Sequence, residues 1–156
     1  MLKNGISRED QDRWALRSQQ RFSAVFEHAP NGFMFFDKRT GLAHCNPATL
    51  RLFGAGDEAA LRGRIPWYPP LSPETQPNGQ KSRELALEMM RRHRHSGARV
   101  QTKEWRFCRL DGTSFDAEVA VIALDWQGDA RFCAVIEDIT DRKRAEAATQ
   151  HAREAA

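Results

Sequence analysis

Few residues in this chain are equipped for chemistry, and their spacing excludes more than it offers. Cys45, Cys108 and Cys133 lie far apart, with no CxxC pair among them. An odd, dispersed set is neither a disulfide framework nor a zinc site. Each falls in a stretch that reads as strand or strand end, so buried, reduced thiols in a reducing cytosol are expected. Asp116 and Glu118 come nearest to a catalytic carboxylate pair. Two apart on a strand, they share one side, but a solvated sheet face explains them better. There is no G-x-S-x-G, no phosphate-binding glycine loop and no His-Glu-x-x-His. No catalytic or metal-ligating residue is therefore assigned, and an enzyme is not expected.

Composition narrows the class further. The 156 residues make one domain, long enough to bury a real core. At 40% hydrophobic and 29% charged, the balance is that of an ordinary globular protein. The net charge of +3 is spread along the chain without a basic run interleaved with aromatics, which gives nucleic-acid binding no support. No apolar stretch approaches the roughly 20 residues of a membrane helix. The N-terminus is polar from Lys3 and lacks a signal peptide's apolar segment. A cytoplasmic location is expected for this segment.

The elements that would position these residues follow from punctuation and period. Ser7, with Asp10 in the first turn, starts a stretch from Arg8 to His28 without Gly or Pro, read as one long helix or two joined near Ser18 to Arg21. Trp14, Phe22, Val25 and Phe26 fall near one face of it, and Pro30 ends it. Gly32 to Asp37 is an apolar strand, and Leu42 to Cys45 pairs with it as a hairpin. Asn46 caps a helix with Pro47 at its first position, ending at Gly54. Another helical turn spans Asp57 to Leu61. Ile65 to Lys81 holds five of the seven prolines and cannot be regular, yet Trp67 and Tyr68 should pack it on the body. Ser82 caps a helix to Ser96, with Leu85, Ala86, Met89, Met90 and His93 on its inner face. Arg99 to Leu110, Thr113 to Trp126 and Ala130 to Thr140 are strands, the first two joined by a two-residue Asp111-Gly112 turn. The result is a single α+β domain, a five-stranded antiparallel sheet with the helices on one face.

In this order the chain resembles the PAS domain family over about Arg21 to Arg144. Phe22 to Asp37 is similar to the family's leading helix and first strand, and Asn46-Pro47-Ala48 through Phe53-Gly54 to its next helix. Leu71-Ser72-Pro73-Glu74, Gln76-Pro77-Asn78-Gly79 and Ser82 resemble a motif of one bacterial PAS subgroup. Glu104-Trp105 with Arg109-Leu110-Asp111-Gly112 resembles the third strand and its turn. Asp138-Ile139-Thr140, continued by Asp141 to Glu146, is similar to the exit signature. Physically, Thr140 is a good N-cap and Asp141 suits the first turn. Ala145, Ala148, Ala152 and Ala155 make a stripe of small residues, marginal as a lone helix and suited to pairing with a second copy.

The resemblance implies a bacterial sensory-box module of a signalling protein, such as a sensor histidine kinase or diguanylate cyclase. Its divisions would be a flanking helix at 1–20, the PAS domain at 21–140 and the start of a coiled-coil signalling helix at 141–156. The ligand pocket would involve Trp67, Met89, His93 and Trp105, residues that plain core packing also explains. The cofactor stays unknown. A covalent flavin adduct is disfavoured because Cys45 precedes Asn46 where the flavin-binding members place the cysteine after it. Haem is disfavoured because Ala86 and Leu87 stand where the oxygen sensors carry an axial histidine, while His93 and His95 point to different sides. Three functions remain in order: a sensor that binds a small ligand and relays it through its last helix, a ligand-free dimerisation module, and a small α+β enzyme. A homodimer through residues 8–28 and the last helix is expected, with an output kinase or cyclase domain following.

Overall fold

A computed structural model describes residues 9, 13, 24–96, 100–126 and 129–155. The expected helix from Arg8 to His28, with its face around Trp14 and Phe22, lies mostly outside them. Residues 24–28 are helical, and Phe26 is buried there.

Five antiparallel strands form one sheet: β1 (Gly32–Asp37), β2 (Gly41–Cys45), β3 (Val100–Cys108), β4 (Ser114–Trp126) and β5 (Asp129–Asp138). Their spatial order is β2-β1-β5-β4-β3. The last strand lies between the first strand and the β3–β4 hairpin, so the sheet's centre is its C-terminal end. Helix α1 (Pro47–Phe53), a 3-10 turn (Glu58–Ala60), the proline-rich segment and helix α2 (Ser82–Ser96) all fall between β2 and β3. The final helix is α3 (Thr140–Ala155). The five-stranded α+β architecture read from the sequence is the one observed.

Period-2 alternation builds the core. Met34 and Phe36 on β1, Trp105 and Phe107 on β3, and Phe115, Ala117, Val119 and Val121 on β4 are buried on the inner face. Phe53 closes α1 onto that face, edge-on to Phe107 at 5.2 Å and to Phe115 at 5.5 Å. Leu85, Ala86, Met89 and Met90 bury the inner side of α2, as their spacing requires. Gly54 takes positive φ (67°) and ends α1 with its N–H on the carbonyls of Arg51 and Leu50.

Three local expectations change. The β3–β4 turn has three residues, not two: Gly112 donates to the Arg109 carbonyl, and Gly112 itself takes φ 90°. Asp111 organises it by accepting from both the N–H and the hydroxyl of Thr113. Ser82 does not cap α2. The Lys81 carbonyl accepts the first helical bond, from Leu85, while the Ser82 hydroxyl is buried in another network. Thr140 does not cap α3 either. Its hydroxyl is buried without a partner, and Asp138 accepts from the Thr140 N–H at 2.9 Å. The cap therefore comes from the strand side of the junction.

Candidate functional site

Two buried polar groups hold the segments that enclose the inner face. Asn46 is fully buried at the start of α1. Its Nδ2 donates to the carbonyls of Phe26 and Asn31, both at 3.0 Å. Its Oδ1 accepts from the Phe33 N–H at 2.9 Å and from the Thr49 N–H and hydroxyl. One amide thus ties the leading helical turn, β1 and α1 together with every donor used.

Gln76 does the same for the proline-rich segment. It pairs with the backbone of β3, accepting from the Arg106 N–H at 2.8 Å and donating to the Arg106 carbonyl at 3.1 Å. Its Nε2 also reaches the Ser82 hydroxyl, which donates to the Pro73 carbonyl. Ser72 donates to the Pro66 carbonyl and accepts from the indole N–H of Trp105 at 3.0 Å. Prolines limit this segment's own pairing to one antiparallel bridge, Thr75 with Lys81, so side chains add bonds that fix it.

These ties enclose an apolar cavity of about 50 Å³ between the sheet, the proline-rich segment and α2. Trp67, Met89 and Trp105 line it together with Met34, Phe36 and Met90. Three of the four residues expected at a pocket are therefore brought together. The fourth, His93, sits one turn beyond Met89 on α2, and its side chain falls outside the described residues. Trp105 contributes its ring alone, because its N–H is already bonded to Ser72.

Among the lining residues that were not expected at the pocket, Lys103 is the charged one. Lys103 pairs with Val119 across the β3–β4 ladder, on the inward side with Trp105 and Phe107, and it is half-buried. It also borders a groove of about 250 Å³ on the outside of the β3 edge, with Gln76, Arg106, Asp116 and Lys143. The alternation Lys103, Trp105, Phe107 carried the signal.

The remaining candidates are accounted for by pairing or burial. Asp116 accepts from Arg106 at 3.0 Å, and Glu118 from Arg142 at 3.1 Å. Neither carboxylate is a free base. Burial pushes the Cys45 and Cys133 thiols up to about 11, Glu58 adding to the rise at Cys45. They are neutral at physiological pH and poor nucleophiles. Among the described residues no cluster of His, Cys, Asp and Glu is arranged to hold a metal, and no helix is long and apolar enough to cross a membrane.

The exit side is built on charge. Glu104, Glu118 and Glu137 face each other across β3, β4 and β5, a row of like charges. The first turn of α3 meets that row with Lys143 on Glu104 at 2.6 Å and Arg142 on Glu118. Ile139 is buried, and its N–H continues the ladder to the Asp116 carbonyl. Asp138, Ile139 and Thr140 thus join β5 to α3 with no slack.

A PAS domain family profile matches residues 30–141. The chain belongs to the PAS domain family. A search of curated protein sequences gave no match. Among solved structures, this PAS domain is similar to that of an HTR-like protein from Haloarcula marismortui. The two are 21% identical over 85% of this chain and 100% of the other, at a TM-score of 0.62. A PAS domain of a two-component sensor histidine kinase is 14% identical over 80% and 98%, at 0.60. The PAS domain of a LuxR-family transcriptional regulator from Burkholderia thailandensis, solved in complex with ethanol, is 22% identical over 76% and 96%, at 0.57. These likenesses are of fold, and the family is one of sensory modules.

Proposed function

We propose that this PAS domain is a cytoplasmic sensor that admits a small apolar ligand between sheet and α2 and relays its presence through α3. The observation that carries the reading is the cavity lined by Trp67, Met89 and Trp105. The wall strand β3 also bears Glu104, which holds Lys143 of α3. Displacement of β3 by a ligand therefore acts directly on the exit helix. His93 is kept as a candidate at the α2 end. On this reading residues 21–140 sense, 141–156 begin the signalling helix and 1–20 flank it. An output kinase or cyclase domain receives the signal.

The cavity sets the ligand's size. About 50 Å³ is well below the ~300 Å³ at which drug-sized pockets begin. Flavin or haem would need large rearrangement. A molecule as small as the neighbour's ethanol would not, and the methionines allow modest growth. The same small volume favours a second reading, a ligand-free module that dimerises and couples neighbouring domains. Two further features support a homodimer. The helix α3 buries no residue, and Val25, Val100 and Leu124 are exposed.

Titration with short-chain alcohols, followed by two-dimensional NMR, tests both links. Shifts of the Trp67 and Trp105 indole signals together with residues 138–143 are expected. No shift in the cavity would leave the ligand-free module; cavity shifts without any at 138–143 would remove the relay. Sedimentation as a monomer at high micromolar concentration would exclude the homodimer.

A further inference from the structure

We propose that the cavity's ligand is a short-chain monocarboxylate, with its apolar tail among Met34, Met89 and Trp105 and its carboxylate on Lys103. This rests on the ligand-binding reading above and names the chemical class. The cavity wall is wholly apolar, and Lys103 gives it only its aliphatic stem. The β3–β4 register puts that lysine on the core side of the sheet, opposite Val119. The ammonium that ends this half-buried stem is stabilised by any anion that meets it. No described residue forms a hydrogen bond or ion pair with it.

The acids nearest to hand are already engaged. Glu104 is bonded to Lys143 and Asp116 to Arg106. The groove outside β3 thus holds three cations, Lys103, Arg106 and Lys143, against two carboxylates. Lys103 is the surplus charge, and it borders both the groove and the cavity. An anion arriving through the groove meets Lys103 at the point where the apolar space begins. That space, at about 50 Å³, is a few times the ~10–15 Å³ that one water-sized group needs on the same measure. The tail is therefore short, about three carbons. Hydroxyl and amine head groups lack the charge that Lys103 selects, and a longer tail overfills the space.

Calorimetric titration of the full chain with sodium butyrate and with 1-butanol separates this proposal from the reading it rests on. Butyrate is expected to bind roughly ten- to a hundredfold more tightly than butanol, the worth of a charge-assisted hydrogen bond. Added salt should weaken butyrate and leave butanol unchanged. Lys103→Met, which keeps the stem and removes the charge, should bring butyrate to butanol's level without altering butanol. Lys103→Arg should retain the preference, and with Lys103→Gln it carries the comparison if the methionine variant does not fold. Butanol binding without butyrate binding, or butyrate binding undiminished in the uncharged variant, overturns the carboxylate and leaves the ligand cavity standing. Binding of neither removes both.

Discussion

Replacing Asn46 by alanine should be the most damaging single polar substitution in this domain. The variant strands the N–H of Phe33 and the carbonyls of Phe26 and Asn31, which the Asn46 amide serves. The Phe26 bond is buried, so its loss falls in the range of about 1–3 kcal/mol for an orphaned group. The Phe33 and Asn31 bonds are partly buried, and water will relieve them to ~1 kcal/mol or less each. The α1 cap adds about 1 kcal/mol, though the Thr49 N–H keeps the Asn46 carbonyl at 3.1 Å. A total of about 3–4 kcal/mol follows, which lowers Tm by roughly 8–15 °C in a domain of this size. In urea, with a slope near ~2 kcal/mol/M, the midpoint falls by about 2 M at unchanged slope. Tryptophan fluorescence reports the transition, since Trp67 and Trp105 are buried in the body. Asn46→Ser is the control: it keeps a capping oxygen for α1 and loses the reach to Phe26 and Asn31. It should recover only the cap's share. A loss below about 1 kcal/mol for alanine, or full recovery with serine, would refute the reasoning, because the cap alone would then explain Asn46.

Three further outcomes follow from the same geometry. Burial pushes the Glu58 carboxyl up, but its bonds from Arg62 and His44 outweigh that and hold it below its usual 4.5. A depressed carboxylate adds stability above its unfolded value that disappears as pH falls through the folded one. Wild-type stability should thus drop below about pH 4.5 more than that of Glu58→Gln, and parallel pH curves would exclude it. Native protein at pH 8 should label at Cys108 first with a thiol reagent, and Cys45 and Cys133 should react only on unfolding; fast labelling of all three in mass spectrometry would contradict their burial. Arg142→Gln with Lys143→Gln should change global stability little, since such exposed pairs are weak. It should still speed hydrogen exchange in the first turn of α3, and unchanged exchange there would deny the charge clamp.

Local physics made much of this protein legible in one dimension. The alternation of Phe115, Ala117, Val119 and Val121 placed β4's inner face. Asn46 before Pro47 marked the start of α1, and Gly54 its end. Leu85, Ala86, Met89 and Met90 faced inward as their 3.6-residue period requires. Each of these signals lies within a few residues, and the structure keeps it.

The polar ties were different, because a side chain's hydrogen-bond partner depends on what tertiary folding brings near. Ser82 and Thr140 both suit a cap by type. Folding put Pro73 and Gln76 within reach of the Ser82 hydroxyl, which left the α2 start to a backbone carbonyl. At the other junction Asp138 took the Thr140 N–H and left the threonine hydroxyl buried. The Glu104, Glu118 and Glu137 row exists only in the register of three strands, distant in sequence between the first and last. Lys103 shows the division most clearly. Its residue type and its place two before Trp105 are written in the chain. Among the described residues it has no partner at the edge of the apolar cavity, because β4 and α3 bring Asp116 to Arg106 and Lys143 to Glu104.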